Sequence, residues 1–275
     1  MIAVRFPHWA ELAISEFPST GTDHAIFRLG DAMTVRVPRT AEACANIAGE
    51  YRALAGLVGS PLETPRPIAL SADPIFAVYR WIEGTTPLDG EIARSTEAAA
   101  RLGRFVSALR LAPIDGAPHA GKSNAHRGTA LAGRDRIVRA SLEALEGEID
   151  AKAAARIWDS MRELAPPYAP PQWLHGDLHP GNVIVRDGRL EGVIDFGLAA
   201  VGDAAADLAA GWMVFDAEAR PAFRAAAGLD DAAWARGRGW ALYQGLIALA
   251  FYRDRNPALA AIARAAIDRV LEEAS

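Results

Sequence analysis

His175-Gly176-Asp177-Leu178-His179-Pro180-Gly181-Asn182 is followed, thirteen residues after Asn182, by Asp195-Phe196-Gly197. Asp177 and Asn182 lie five apart in a stretch held by glycine and proline, so one loop can aim both side chains at one point. Residues 183–195 carry Asp187-Gly188 at their centre, a strong sign of a tight hairpin turn. A hairpin returns its second strand beside its first, which brings Asp195 back to the loop. Two carboxylates and an amide oxygen make a hard, oxygen-rich set. That set suits Mg²⁺, which takes one or two carboxylates and completes its shell with water and phosphate oxygens. Phosphoryl transfer calls for the same parts: a carboxylate to receive the hydroxyl proton, and cations to offset charge on the transferring oxygens.

Outward from this segment, residues 25–38 alternate as a hairpin, with Phe27 and Leu29 before Gly30-Asp31 and Met33, Val35 and Val37 after it. Period-two alternation places Arg36 on the face opposite Val35 and Val37. Residues 42–58 predict a helix whose apolar stripe is Ile47, Tyr51, Leu54 and Val58, with Glu50 at its edge. Pro61, Pro65 and Pro67 impose an irregular or extended stretch. Residues 75–82 read as a mostly buried strand ended by Glu83-Gly84. From about residue 88 the chain is alanine-rich and mainly helical; a Gly/Pro-rich loop interrupts it at 112–134, helix returns over 141–164, and 203–273 is helical again. A short β-rich part followed by a larger α-rich part predicts an α+β chain of two lobes with a cleft between them.

Composition sets limits. The 275 residues are 51% hydrophobic and 23% charged, as in a folded globular protein, and the net charge of −5 lacks the basic excess of a nucleic-acid binder. A single cysteine, Cys44, rules out an intrachain disulfide and fits a reducing compartment, with the thiol as a packing residue. Met1 to Trp9 shows no signal-peptide pattern. The longest uncharged stretch, Gly239 to Tyr252, is too short to span a bilayer and reads as a buried helix. These readings place the chain in the cytoplasm, with no nucleic acid and no membrane among its partners.

Protein kinases carry H-R-D-x-x-x-x-N followed by D-F-G. Here the spacing is the same and Gly176 stands where the arginine would be. The long form His-Gly-Asp-Leu-His-Pro-Gly-Asn resembles the catalytic loop of the aminoglycoside phosphotransferase family, whose fold is protein-kinase-like. The resemblance extends over nearly the whole chain. It includes Phe6 to Trp9, Gly21 to Asp31 and Val35 to Arg39 in the first lobe, Tyr79 to Gly84 at the hinge, and Gly202-Asp203 through Asp207-Leu208-Ala209. It implies a nucleotide-binding lobe over 1–82 and a lobe over 83–275 that holds the catalytic loop and the acceptor helices. It also implies ATP or GTP as donor, with Mg²⁺, and a small-molecule hydroxyl as acceptor, foremost that of an aminoglycoside-like antibiotic.

Roles follow position by position from the resemblance. Asp177 would be the catalytic base, and Asn182 and Asp195 the Mg²⁺ ligands. His175 would brace the loop, and Asp207 would support it. Arg36 stands where kinases place a strand lysine, and Glu50 where they place its helix partner; an arginine fork can bind phosphate or pair with a carboxylate. Arg80, Trp81 and Ile82 fall in the hinge that faces the nucleotide. No G-x-G-x-x-G occurs, and Ser19-Thr20-Gly21-Thr22-Asp23 takes the turn before the hairpin, so Thr20 and Gly21 are the phosphate-loop candidates. Asp216 and Glu218, with Trp212, Trp240 and Tyr243, are candidates for the acceptor side. Acidic residues would suit a polyamine; a helix cap and core aromatics are the plainer reading.

Gly116 to Ser123 matches G-x-x-x-x-G-K-[ST], but Leu-Ala-Pro-Ile-Asp before it is no buried strand and Asn-Ala-His-Arg-Gly after it is a poor helix start, so the match reads as chance. Two alternatives stay open beside the lead. One is a metabolic hydroxyl kinase with a homoserine-, choline- or macrolide-type acceptor. The other is a nucleotide-binding pseudoenzyme, against which the intact Asp177, Asn182 and Asp195 argue. A protein-kinase role fits less well, because no A-P-E-type segment occurs and little chain separates Gly197 from Asp203.

Overall fold

A computed structural model describes residues 1–18, 24–57, 59–88, 90–165 and 170–273. Strands β1 (Ile14–Phe17), β2 (His24–Leu29), β3 (Met33–Pro38), β4 (Pro67–Ala72) and β5 (Ile75–Arg80) form an antiparallel sheet in the order β1-β2-β3-β5-β4. Helix α1 (Ile2–Arg5) precedes the sheet, and α2 (Ala41–Gly56) lies between β3 and β4. The rest is dominated by α3 (Thr96–Arg110), α4 (Asp135–Ala144), α5 (Ala151–Arg162), α6 (Ala210–Met213), α7 (Arg220–Ala227), α8 (Asp231–Tyr252) and α9 (Pro257–Glu272). Two small ribbons sit among these helices: β6 (Gln172–Leu174) with β9 (Ala200–Gly202), and β7 (Val183–Arg186) with β8 (Arg189–Val193). The architecture is the kinase-like arrangement of an antiparallel sheet and a helical lobe.

The sheet is covered on both faces, which explains why β5 is apolar nearly throughout. Phe76 and Val78 join Leu29, Val35 and Ile2 in a small outer core, against which Phe6 and Trp9 pack. Ala77 and Tyr79 face the other way, toward Ile47 and Leu54 of α2, and belong to the main core that runs into the helical lobe. Thr40 caps α2 by accepting from the Ala43 N–H at 3.1 Å. Val58, expected at the end of that helix stripe, lies outside the described residues.

One expectation needs correction and two gain detail. The helix expected over 141–164 is two helices: α4 starts earlier, at Asp135, and the chain breaks around Gly147 before Asp150 caps α5 through the Ala153 N–H at 2.8 Å. The proline-bearing stretch contains edge strand β4, which begins at Pro67; an edge strand tolerates proline at its first residue because no ladder bond is lost. Finally, 203–273 is not continuous helix, since Gly228 in the left-handed region ends α7 and Asn256-Pro257 restarts the chain into α9. Helix α8 contains the uncharged stretch and is buried along most of its length. No described helix is long and apolar enough to cross a membrane.

Candidate active site

Strand β6 delivers the chain into the segment 175–182. His175 is buried, and its N–H and that of Gly176 donate to the two oxygens of Asp207, at 2.7 and 2.8 Å. Asp207 thus clamps the loop by its backbone. Burial pushes the Asp207 carboxyl up to about 7, against the pull of those two N–H groups. The His175 ring bridges to the strand leading into Asp195, with Nε2 3.0 Å from the Ile194 carbonyl and Nδ1 accepting the Asp177 N–H at 3.3 Å. A carbonyl only accepts, so the proton is on Nε2, and burial lowers the ring pKa and keeps it neutral. Its edge lies on Phe196, with ring centres 4.6 Å apart.

Gly176 has φ +83°, and a Cβ there would stand 2.8 Å from the Leu198 carbonyl oxygen. A side chain at this position therefore meets both backbone strain and a backbone wall, and an arginine cannot take it unless the 196–198 turn moves.

Asn182 donates through Nδ2 to the Asp177 carbonyl at 2.9 Å and to Asp177 Oδ2 at 3.2 Å. The five-residue spacing therefore closes the loop on itself and turns the Asn182 Oδ1 to other partners. His179 Nδ1 accepts the Gly181 N–H at 3.0 Å, while its Nε2 lies 3.6 Å from Asp177 Oδ2. Burial alone would raise the Asp177 carboxyl; His179 and Arg127 outweigh it and hold the group well below the usual carboxylate range.

The hairpin β7–β8 turns at Asp187-Gly188, with φ +54° and +72°, the left-handed pair that a two-residue turn requires. It returns the chain to Asp195, itself at φ +64°, an uncommon conformation for a residue with a side chain. The Arg36 guanidinium donates to Asp195 Oδ1 at 2.8 Å and forms a buried ion pair with Glu50. Burial by itself would lower the arginine's pKa, but the carboxylates of Glu50 and Asp195 outweigh it and hold Arg36 above its ordinary value. His24 Nδ1 lies 3.2 Å from Arg36 Nη2. Arginine only donates, so Nδ1 is the accepting nitrogen; burial and the neighbouring Arg36 lower this imidazole to about 4.

His24, Arg36, Asp177, His179, Asn182 and Asp195 line one cleft of about 870 Å³ between the sheet and the helical lobe, whereas Glu50, His175 and Asp207 are not among its lining residues and act through the groups they hold. Arg80, Trp81 and Ile82 line its sheet-side end. There the Trp81 backbone N–H donates to the Ala32 carbonyl at 2.8 Å, and the Arg28 guanidinium sits 4.5 Å over the Trp81 ring.

A profile of the phosphotransferase enzyme family matches residues 14–240. The chain belongs to that family. Among solved structures it is similar to the GDP and kanamycin complex of APH(2")-IIia, with TM-score 0.74 and 19% identity over 99% of this chain and 97% of that one. It is similar also to the GDP complex of wild-type aminoglycoside 2'-phosphotransferase-IIIa, with TM-score 0.72 and 18% identity over 100% and 97% of the two chains. A third is the apoenzyme of the macrolide 2'-phosphotransferase MphH from Brachybacterium faecium, with TM-score 0.63 and 23% identity over 96% and 98%. These likenesses speak for the fold. No curated protein sequence matches significantly.

Not every candidate of this phosphotransferase meets in the cleft. Thr20 and Gly21 lie outside the described residues. Asp216 and Glu218 are not among the lining residues: Asp216 Oδ1 accepts the N–H groups of Glu218 and Ala219 at 3.1 and 3.3 Å just before α7, its other oxygen meets Arg94 at 3.3 Å, and Glu218 is exposed. Trp212, Trp240 and Tyr243 are core residues. The sequence reading missed His24 and Arg127, both buried and both facing the cleft. His24 had a signal in the hairpin register, since it shares a face with Ile26 and opposes the strand that carries Arg36. Arg127 had none, because it sits in the irregular 112–134 segment.

Proposed function

We propose that this phosphotransferase moves the γ-phosphoryl of ATP or GTP to a hydroxyl of a small-molecule acceptor of the antibiotic type. The convergence of Asp177, Asn182 and Asp195 on one cleft carries the reading. In the step, the acceptor oxygen bonds to phosphorus as the bond to the nucleoside diphosphate breaks, and the hydroxyl proton goes to Asp177. A carboxylate held ionised at neutral pH is a competent acceptor for that proton. His175 and Asp207 serve by fixing the loop that aims it.

The donor set fits Mg²⁺. Asn182 offers Oδ1, Asp195 offers its second oxygen, and both line the cleft. Among the described residues no three His, Cys, Asp or Glu side chains cluster as a metal cage. Mg²⁺ needs none, since phosphate oxygens and water complete its shell. Bound there, it would neutralise charge on the phosphates. Arg36, held by Glu50, and His24, whose buried Nε2 has no partner among the described residues, are placed to meet phosphate oxygens. Residues 1–82 act as the nucleotide lobe, with Arg80, Trp81 and Ile82 against the base and Thr20 and Gly21 as its phosphate-loop candidates. Residues 83–275 supply the catalytic loop and the acceptor side. A nucleotide donor and a lone cysteine fit a cytoplasmic setting.

The neighbours named for kanamycin and macrolides make antibiotic hydroxyls, aminoglycoside-like ones included, the acceptors to try first. Turnover of ATP and GTP with Mg²⁺, with and without such acceptors, tests the reading. Acceptor-dependent release of nucleoside diphosphate supports it; absence of nucleotide binding overturns it.

A further inference from the structure

Arg127 is buried, at 7% exposure, and lines the cleft with Asp177. A Cβ placed on Gly176 would lie 3.3 Å from the Arg127 Cβ, so the glycine in front of Asp177 leaves the room that Arg127 takes. The backbone of Arg127 is fixed. Its N–H donates to the Asn124 carbonyl at 3.1 Å, and its carbonyl accepts from Asn124 Nδ2 at 2.9 Å. The next carbonyl, that of Gly128, accepts the Asp203 N–H at 2.9 Å. Buried Asn124 also reaches the Leu198 carbonyl, at 3.4 Å, in the turn after Asp195. Arg127 is thus tied to the chain that follows Asp195, and its Cβ stands against the residue before Asp177.

The guanidinium, by contrast, is unspent. Its Nε and Nη1 have no partner among the described residues. The Tyr243 ring of α8, centred 5.1 Å from Cζ, attracts the charge without accepting an ordinary hydrogen bond. Burying a guanidinium with unmet donors costs stability, and an anion that brings oxygens to it offsets that cost. Among the described residues three arginines line the cleft: Arg36 and Arg80 come from the sheet, and Arg127 alone from the helical lobe. Arg36 is already held by Glu50 and Asp195. An acceptor oxygen that gives its proton to Asp177 lies within about 3 Å of that carboxylate. The phosphorus it attacks is one bond further on, so the phosphoryl oxygens come within reach of side chains that flank Asp177.

We infer that Arg127 is a further catalytic residue, which donates to an oxygen of the phosphoryl group in flight from the helical-lobe side while Arg36 reaches in from the sheet. The inference rests on the phosphotransferase reading and adds a residue to its transition state. In the step the acceptor oxygen bonds to phosphorus, the bond to the nucleoside diphosphate breaks and the hydroxyl proton passes to Asp177. Arg127 makes and breaks no covalent bond and keeps its own protons. A donor that meets the phosphoryl oxygens only as they move toward the acceptor lowers the barrier without tightening the ground-state nucleotide.

The full chain is titrated by calorimetry with Mg²⁺ and ADP or GDP, with and without aluminium fluoride, which stands in for the phosphoryl group in flight. Turnover is read as hydrolysis of ATP and GTP by water, which needs no identified acceptor. Arg127→Met keeps the aliphatic stem and removes the charge, whereas Arg127→Lys keeps the charge and removes the fork. The parent is expected to bind the diphosphate at least about tenfold more tightly with fluoride than without. Arg127→Met is expected to lose that tightening and to lower kcat about 10²–10³-fold, while the diphosphate Kd without fluoride stays within about twofold. Arg127→Lys is expected to regain part of both. No tightening in the parent, or the same tightening in Arg127→Met, overturns the inference alone. Urea midpoints that fall alike in both variants, together with diphosphate binding, make Arg127 a packing residue and overturn it too. A parent that binds no nucleotide overturns the phosphotransferase reading itself.

Discussion

The Arg36 guanidinium donates to the Asp195 carboxylate at 2.8 Å across 159 positions of the chain, and buried Glu50 grips the same guanidinium. The sheet, helix α2 and the turn after β8 are thus joined at one charged group. Removing one partner of a buried ion pair leaves an uncompensated charge, at a cost of about 3–5 kcal/mol. Arg36→Met is expected to lose stability of that size in urea denaturation. Adding Glu50→Leu is expected to restore most of it, because the buried carboxylate is then gone and Asp195, the guanidinium's other partner, keeps 44% of its side chain exposed. A loss below about 1 kcal/mol for the single variant would show that the pair does not hold the lobe.

Asp177 is tied to Asn182 by two bonds and is kept ionised by His179 and Arg127 around it. If it takes the hydroxyl proton, its role is confined to the transition state. Asp177→Asn is expected to lower kcat by about 10²–10⁴-fold and to leave the nucleotide Kd nearly unchanged. Single-turnover transfer together with nucleotide titration separates the two effects. Near-normal kcat in the variant would remove Asp177 from the chemistry.

The catalytic loop was legible because its information is local. Loop spacing and the Asp187-Gly188 turn between them place Asp177, Asn182 and Asp195 together, and β2–β3 follow from alternation around Gly30-Asp31. The Arg36–Glu50 pair was legible through the resemblance, which puts the two where kinases place a strand lysine and its helix partner; alternation alone only set Arg36 apart from Val35 and Val37. The apolar end of the cleft was not legible. Ile247 and Phe251 carry no polar signature, and the apolar run of α8 reads as plain core; only the packing of α4, α8 and α9 shows which of its residues face open space. Arg127 lies in irregular chain without periodicity. Asp216 attracted attention as an acid near aromatic residues, yet its bonds are those of a helix-entry cap. Strand β1 was missed because all four of its residues are exposed, so no alternation marks it.

The match of Gly116 to Ser123 to a phosphate-binding loop fails on geometry. Helix α3, not a strand, is the element that precedes it, and only the three-residue 3₁₀ turn Lys122–Asn124 follows. The Gly121 N–H, which a phosphate would need, already donates to Asn124 Oδ1 at 2.8 Å. Lys122→Ala is therefore expected to keep kcat/KM for nucleotide within about twofold of the parent in steady-state assays; a loss beyond about tenfold would return the segment to the nucleotide site.

Asp207 and His24 impose opposite pH dependences on the same fold. The Asp207 carboxyl is raised from 3.8 to about 7 by burial, so the folded state holds its proton more tightly. Its contribution to stability is fully present below about pH 4 and is lost as pH rises through about 7. His24 is lowered from 6.5 to about 4 by burial and by Arg36. Its contribution is full above about pH 6.5 and is lost as pH falls through about 4. In the parent protein the two slopes offset each other between these limits. Asp207→Asn is expected to be less stable throughout, by about 1–3 kcal/mol, since one backbone N–H of the loop loses its acceptor. Measured against the parent, however, that deficit shrinks as pH rises from 4 to 7. His24→Gln shows the mirror image, gaining on the parent as pH falls from 6.5 toward 4. Urea denaturation of the three proteins across this range reads both slopes. A deficit for Asp207→Asn that stays constant with pH would mean that Asp207 is ionised in the folded state throughout, clamping the loop as a full carboxylate.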